Sequence, residues 1–295
     1  PSAAASNQPD DDTQPHIYQH PSRASLLLHL SLLGLAPYPV VRPRPRPCPC
    51  EPRSNLVRRI RAQLQNPTMA PLPPNVHVSQ HPCLQAKLSQ LRSRATDARD
   101  AKALVHDIGL IVSCEALAGN ILPVDGHKDT TPLGFEYTTT AALPQTMCIV
   151  PILRSGLAMV EAVQTILPRP VPVHHLGMYR EQSTLAPVEY YNNLPHHIPD
   201  PSSSPGSSLA IVVDPVIATG GTCAAAIQTL REWGAKKVLV LSVVGAEDGV
   251  RRAAQEWPEG TELWLAGIDD KLTPEGMLEP GLGDIGDRLF LTIGK

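Results

Sequence analysis

The sequence predicts an α/β fold in which a mostly parallel, twisted sheet is flanked by helices. Short apolar runs alternate with helical patterns over residues 147 to 268, a rhythm that is typical of parallel sheets covered on both faces. Apolar residues make up 42% of the chain, and the aromatic content of 4% predicts a core of aliphatic side chains. No apolar run reaches the roughly 18 residues of a membrane span.

Residues 1 to 75 are expected to form a disordered extension rich in proline and arginine. Sixteen of the 32 prolines precede residue 83, and the run "RPRPRPCPCEP" is incompatible with a helix or a sheet core. Residues 26 to 35 are also compatible with the apolar part of a signal or transit peptide. A third alternative is translated sequence upstream of a start at Met69.

Residues 76 to 295 are expected to form the folded domain. They carry 17 Lys and Arg against 24 Asp and Glu, a balance of −7, which disfavours binding to nucleic acid. The six cysteines are scattered without a CxxC pair or a metal-ligand spacing. We therefore expect free thiols in a reducing, cytoplasmic compartment, with no membrane partner and no metal-binding cluster of side chains.

The elements follow in order along this domain. Two helices are predicted between residues 83 and 117, followed by a mixed, turn-rich stretch to residue 146. Strands are then predicted at 147–153, 171–179, 209–214, 236–244 and 262–268, and helices at 155–167, 221–234 and 247–257. The long polar connection splits into a mobile cover at 181–194, named the hood loop below, and a surface insertion at 196–208.

Ligands of such sheets bind beyond the carboxyl ends of the strands, which places Arg154, residues 214 to 222 and the tail after Asp269 on one rim. The stretch "VVDPVIATGGT" ends a buried strand on Asp214. The glycines of the following loop let several N–H groups point at one spot, next to the positive end of a helix dipole. This pattern predicts a nest for a phosphate monoester, with Asp214 placed to bind sugar hydroxyls; an ordinary strand-to-helix turn is the alternative.

Four blocks in order resemble the uracil branch of the type I phosphoribosyltransferases. They are "PILRSGLAMVEAV", "HLGMYREQSTLAPVEYYNNLP", "DPVIATGGT" and "GMLEPGLGDIGDRLF". The resemblance runs from about residue 76 to 295 and implies a type I phosphoribosyltransferase fold with a hood loop and a C-terminal base-binding segment. It implies the transfer of a phosphoribosyl group from phosphoribosyl diphosphate (PRPP) to uracil, giving UMP and diphosphate.

The resemblance also assigns site residues. Arg154, Arg180, Asp214 and Asp284 are the expected catalytic residues. PRPP is expected to contact these four together with Pro215, Val216, Ile217, Ala218, Thr219, Gly220, Gly221 and Thr222. Uracil is expected to contact Leu278, Gly283, Asp284 and Ile285 through main-chain groups. Mg²⁺ is implied as a cofactor held mainly by PRPP and water.

Four positions depart from the family pattern. Ser155 stands where alanine is usual, Ala186 where glutamate is usual, and Glu279 and Ile285 where an apolar residue and alanine are expected. The resemblance further implies a homo-oligomer, a dimer or tetramer, and GTP as an allosteric effector, although the residues themselves indicate neither. Two alternative functions stay open: a phosphoribosyltransferase for adenine, hypoxanthine or orotate, and a non-catalytic regulator that binds PRPP or a nucleotide.

Overall fold

A computed structural model describes residues 71–181, 186–195 and 207–292 of the chain. The predicted extension lies outside these residues, apart from its last five. Residues 182–185 of the hood loop and 196–206 of the predicted surface insertion also lie outside them.

The described residues form twelve strands and six helices. The strands are β1 (Val76–Val78), β2 (Leu122–Thr130), β3 (Glu136–Leu143), β4 (Met147–Leu153), β5 (Leu176–Arg180), β6 (Pro187–Asn192), β7 (Leu209–Val213), β8 (Val216–Ile217), β9 (Val238–Ala246), β10 (Thr261–Asp269), β11 (Lys271–Leu272) and β12 (Leu278–Glu279). The helices are α1 (Pro82–Arg92), α2 (Ala98–Asn120), α3 (Leu157–Ile166), α4 (Gly221–Glu232), α5 (Glu247–Glu256) and α6 (Ile285–Phe290).

An eight-stranded sheet forms the centre, in the order β1-β10-β9-β7-β4-β5-β6, with β8 paired to β9. Every pair is parallel except β5 with β6. The predicted α/β class with a mostly parallel sheet is therefore confirmed. No helix among the described residues has the length and apolarity needed to cross a membrane.

Both faces of the sheet are covered, which explains why its central strands are almost entirely apolar. In β4, Ile149 packs with the cluster of α1, α2, α3 and α6, while Val150 packs with the cluster of α4 and α5. All nine residues of β9 are buried. Side chains alternate between the faces along each strand, so each strand contributes to both clusters.

Two regions differ from the sequence-based prediction. The stretch predicted as mixed and turn-rich contains the antiparallel hairpin of β2 and β3, which forms a sheet of its own. The strand predicted at 171–179 begins only at Leu176, after an isolated bridge at Val173. The end of the predicted cover is strand β6, whose backbone pairs with β5 and so extends the central sheet.

Candidate active site

A pocket lies where the strand order changes direction. The chain leaves β4 towards β5 on one side and leaves β7 towards β9 on the other, so a crevice opens between two neighbouring strands. A pocket of about 340 Å³ occupies this rim. Its lining comes from the ends of β4 and β7, the loop before α4, the β5–β6 hairpin and residues 277–286, named the base segment below.

Asp214 lies at the carboxyl end of β7 and is 8% exposed. Its Oδ1 accepts a hydrogen bond from the Ser155 hydroxyl, at 3.2 Å, across the crevice. Burial raises the pKa of Asp214 to about 7, while hydrogen bonds from Ser155 and from the backbone N–H of Val216 oppose that rise. The carboxyl group lines the pocket.

The loop from Thr219 to Thr222 has the geometry of an anion-binding nest. Gly220 has a φ of +75° and precedes the first turn of α4, and no side chain caps this end of the helix. The first N–H groups of α4 are therefore open to a ligand. Thr219, Gly220 and Thr222 line the pocket, as do Val216, Ile217 and Ala218; Pro215 accepts hydrogen bonds from the backbone of Val243 and Val244.

A second glycine allows this loop to turn so tightly. A Cβ atom on Gly249, in the first turn of α5, would overlap the carbonyl oxygen of Ala218. A Cβ atom on Gly220 would overlap the carbonyl oxygen of Gly249. The nest therefore depends on Gly220 and Gly249, which lie far apart in sequence. Of these two, the sequence alone indicated Gly220.

Gly221 faces away from the centre of the pocket. A Cβ atom there would lie 3.4 Å from Nη1 of Arg252 and 3.5 Å from Cδ of Pro187 in β6. The main chain at Gly221 belongs to the first turn of α4, whereas an added Cβ atom would point towards Pro187 of the β5–β6 hairpin.

Arg154 follows β4 and lines the pocket, with a side chain that is 47% exposed. Its peptide bond with Leu153 is cis. Nη1 donates to Oγ1 of Thr292 at 3.1 Å, and Nη2 lies 3.6 Å from Oδ1 of Asp287. Arg154 is therefore held at the pocket by the C-terminal helix α6, a contact that the sequence did not indicate.

The hood loop meets the pocket through strands β5 and β6. Arg180 is the last residue of β5 and its backbone pairs with Pro187. Tyr179 and Tyr190 line the pocket from this hairpin, with ring centroids 6.1 Å apart. Both tyrosines are about half exposed, at 52% and 56%, so they offer flat apolar surface at the pocket mouth; the sequence-based analysis assigned neither a role.

The base segment closes the opposite side of the pocket. Leu278 is 8% exposed and Ile285 is 5% exposed, and both line the pocket. Gly283 has a φ of +72°, while Asp284 caps α6 by accepting a hydrogen bond from the N–H of Asp287 at 3.0 Å. The predicted uracil contacts are thus brought together, and the structure adds Met277, Leu282 and Gly286 to the lining.

Two arginines hold this segment, one from α1 and one from α6 directly after it. Arg92, the last residue of α1, makes a two-pronged contact with the buried Asp269, with distances of 2.5 and 2.9 Å, and donates to the carbonyl of Gly281. The N–H of Gly281 in turn donates to Asp269 at 3.0 Å. Arg288 donates to four carbonyl oxygens, those of Leu91, Ser93, Thr96 and Leu282.

The contact of Arg92 with Asp269 was missed because a lone arginine in a helix has no local signal for a partner 177 residues away. The only available signal was the position of Asp269 at the end of a predicted strand, on the same rim as the site.

The described residues contain no group of three or more His, Cys, Asp or Glu side chains that could hold a metal ion. The carboxylates that line the pocket in this part of the chain are Asp214 and Asp284. This set does not form an all-protein cage. It fits Mg²⁺ that is bound largely through substrate oxygens and water.

A mostly parallel sheet with an acid at the strand crossover and an uncapped, glycine-rich helix start is the arrangement of the type I phosphoribosyltransferases, a class of glycosyltransferases. The fold is shared with a solved structure, the AQ2163 protein from Aquifex aeolicus, at a TM-score of 0.65 and 28% identity; the match covers 74% of this chain and 98% of that one.

Within that class the chain belongs to the uracil phosphoribosyltransferase family, whose sequence profile, described as "Uracil phosphoribosyltransferase", matches residues 78–292. It is similar to proteins of that name from Roseiflexus sp. (strain RS-1), at 40% identity, and from Macrococcus caseolyticus, at 38%. Each match covers 74% of this chain and 98% of the relative. The family resemblance and the functional class predicted from the sequence are confirmed.

Proposed function

We propose that the chain transfers the phosphoribosyl group of PRPP to uracil, forming UMP and diphosphate in pyrimidine salvage. One observation carries the proposal. A single pocket joins the carboxylate of Asp214, the uncapped start of α4 and the main chain of the base segment. These three parts match, in turn, the ribose, the 5′-phosphate and the base.

At the PRPP end, the main-chain N–H groups from Thr219 to Thr222 donate to the 5′-phosphate. Asp214 accepts hydrogen bonds from the ribose hydroxyls. Both groups sit on the ends of strands or helices, which fix their positions before the substrate arrives. The proposed contacts of Pro215, Val216, Ile217 and Ala218 are made by the same loop, whose backbone is pinned to β9.

At the leaving group, the guanidinium of Arg154 meets the diphosphate in a two-pronged contact. Arg180 is proposed to approach the same group from the end of β5, next to the hood loop. Mg²⁺, when bound to PRPP, neutralises part of the charge that develops on the diphosphate. Asp284, which lines the pocket, would help to hold such an ion through water.

Uracil is proposed to bind between the base segment and the tyrosine pair. Main-chain groups of Gly283, Asp284 and Ile285 pair with its N–H and C=O groups, and Leu278 supplies an apolar wall. Cytosine presents a different pattern of donors, so its binding would leave buried groups of the segment unpaired. The hood loop, which includes Tyr190, is proposed to keep water from the reacting sugar.

The direct test is UMP formation by the purified chain with uracil, PRPP and Mg²⁺, followed by a panel of adenine, hypoxanthine, orotate and cytosine. We expect uracil alone to give a nucleotide. Arg154→Ala should lower kcat/KM roughly 100-fold, because a charged contact to the leaving group is lost. Arg94→Ala is the matched control, since this exposed arginine lies away from the pocket. Folded protein that binds PRPP in calorimetry yet forms no UMP would instead indicate a regulator.

We further propose residues 76 to 295 as the catalytic domain and residues 1 to 75 as an extension outside it. The side chain of Asn75 donates to Ala254 and Thr261, and Arg251 donates to the carbonyl of Pro71. A truncated chain should therefore begin at Met69, so that it keeps these contacts. Equal kcat/KM of the truncated and full chains would support the assignment.

The proposed compartment is the cytoplasm, supported by the free thiols of Cys83, Cys114, Cys148 and Cys223.

A homo-oligomer, a dimer or tetramer, is proposed from the separate β2–β3 hairpin. Its apolar side chains are well exposed, at 66% for Leu122, 84% for Leu133 and 69% for Phe135. A lone hairpin of this kind is marginally stable in water, and exposed apolar patches mark interfaces. Light scattering should show that the double substitution Leu133→Glu with Phe135→Glu lowers the molar mass of the assembly.

GTP as an effector stays a prediction from the family resemblance, tested by adding GTP to the assay.

A further inference from the structure

Ser155 contacts Asp214, the acid to which the proposed function assigns the ribose. Its hydroxyl lies on the loop after β4 and reaches across the crevice to Oδ1 of Asp214, at 3.2 Å. The two residues are 59 positions apart in sequence and meet only because β4 and β7 are neighbouring parallel strands. A methyl group at position 155 could not make this hydrogen bond.

The surroundings of Asp214 offer its carboxylate little other support. From α4, the thiol of Cys223 faces it, and the nearby Asp214 and burial raise the pKa of that thiol, so it carries no charge. From its own loop, the backbone N–H of Val216 donates to it. Arg154 and Asp284 line the same pocket, but the guanidinium of Arg154 contacts Thr292 and Asp287. Within the described residues, the side-chain donor to Asp214 is therefore Ser155.

We propose that Ser155 is a positioning residue for PRPP binding, whose hydroxyl holds Asp214 in the ionised form that accepts hydrogen bonds from the ribose. The inference rests on the proposed function of the pocket and adds a chain-specific control of its pH range. A buried carboxylate is favoured in its charged form by each hydrogen bond that it accepts. Loss of the hydroxyl should therefore move the titration of Asp214 to higher pH.

The titration matters because it falls in the working range. Burial places the pKa of Asp214 at about 7, so a further rise would leave much of the acid protonated at neutral pH. A protonated carboxyl group has one oxygen committed to its own O–H and accepts the ribose hydroxyls less well. Ser155→Ala should therefore weaken PRPP binding at low and neutral pH more than at high pH.

The test is calorimetric binding of PRPP with Mg²⁺ to the full chain between pH 5.5 and 9, for the parent, Ser155→Ala and Ser155→Thr. PRPP has its own titrating phosphates, but these are common to all three proteins. We expect the midpoint for Ser155→Ala to lie about one pH unit higher, with binding roughly fivefold to tenfold weaker at pH 6 and converging at pH 9. Ser155→Thr keeps a hydroxyl and should restore the parent midpoint.

Two controls make the result specific. Ser113→Ala removes a fully buried serine that donates to the carbonyl of Gly109 in α2, away from the pocket, and should leave the profile unchanged. In an Asp214→Asn background, Ser155→Ala should produce no shift of the midpoint.

Three outcomes would overturn the inference. Superimposed profiles of the parent and Ser155→Ala, with UMP formed by both, would remove the role of Ser155 and leave the proposed function intact. An equal loss of affinity at every pH would assign Ser155 a purely structural role. A parent chain that neither binds PRPP nor forms UMP would overturn the proposed function and the inference together.

Discussion

The two ends of the pocket are built in different ways. At the PRPP end, Asp214 and the nest follow one buried strand within nine residues, and the sheet fixes them through backbone pairing with β9. At the base end, residues 277–286 belong to no large sheet; β11 and β12 pair only with each other. This end is tied down by side chains, chiefly Arg92 and Arg288 from both sides of the segment.

Because the two ends are held differently, substitutions at one end should mainly change substrate binding, and substitutions at the other should also change stability. Residues of the PRPP end lie on backbone that pairs with β9, so replacing a ligand-binding side chain there should alter substrate binding first. The base segment depends on buried polar contacts, which are costly when one partner is removed. Changes there should lower stability and raise KM for uracil, while KM for PRPP changes less. Four substitutions test this contrast.

Asp214→Asn should have the largest effect on activity, lowering kcat/KM for PRPP on the order of 100-fold to 1,000-fold, because hydrogen bonds to a charged acceptor are lost. It should also change how stability depends on pH. Burial raises the pKa of the folded-state carboxyl from 3.8 to about 7. The stability that this group contributes is therefore complete below its unfolded pKa and is lost as pH rises through the folded value.

The asparagine variant carries no such titration. Relative to the parent, its free energy of unfolding should therefore rise by about 2 to 3 kcal/mol between pH 5 and pH 8. Urea unfolding at the two pH values measures it. A difference that stays constant with pH would contradict the assignment of a raised pKa to Asp214.

Arg92→Met should destabilise the domain by about 3 kcal/mol, because Asp269 is left buried without its charged partner. The side chain of Asp269 is only 3% exposed. Uracil KM should rise severalfold more than PRPP KM, since the carbonyl of Gly281 loses the guanidinium donor that anchors the base segment. Arg94→Met is the matched control, because Arg94 is exposed. Equal increases in both KM values would break the proposed division between the two ends.

Gly220→Ala should cost about 2 kcal/mol and raise KM for PRPP about tenfold, because alanine is strained at a positive φ and its methyl group would press on Gly249. Uracil KM should change little. Gly119→Ala in α2 serves as the comparison: a Cβ there meets nothing within 4 Å, so this helical position should gain up to about 1 kcal/mol. Urea unfolding curves of both variants measure the change in the free energy of unfolding, and steady-state kinetics measure KM for PRPP and for uracil.

Leu291→Gly should have the smallest effect, a gain of about 1 kcal/mol. Leu291 ends α6 with a φ of 54° and is 72% exposed, so it adopts a left-handed conformation without burying its side chain. Glycine adopts that conformation without strain. Leu291→Ala should give no such gain because its Cβ remains. Thermal unfolding distinguishes the two, and equal melting temperatures would show that α6 does not limit stability.

The strand, the acid and the glycine turn around Asp214 were the parts of the pocket that the sequence alone indicated most directly. The alternation of strands and helices, Asp214 at a strand terminus and the glycines before α4 are patterns of adjacent residues, and local geometry follows from them directly. The base segment was located by its resemblance, and its pocket-lining residues Leu278 and Ile285 were named. The hairpin of β2 and β3 was not predicted, because its strands are mostly exposed and lack a clear alternation.

Only the tertiary structure decided how these parts cooperate. The hydrogen bond of Ser155 to Asp214, the contact of Gly249 with the nest and the anchoring of the base segment by Arg92 all join residues that are far apart in the chain. Periodicity records which face of an element is buried, but a side-chain hydrogen bond depends on which elements become neighbours. The sequence therefore determined the fold and the ligand-binding loops, and the packing of the sheet determined which residues tune them.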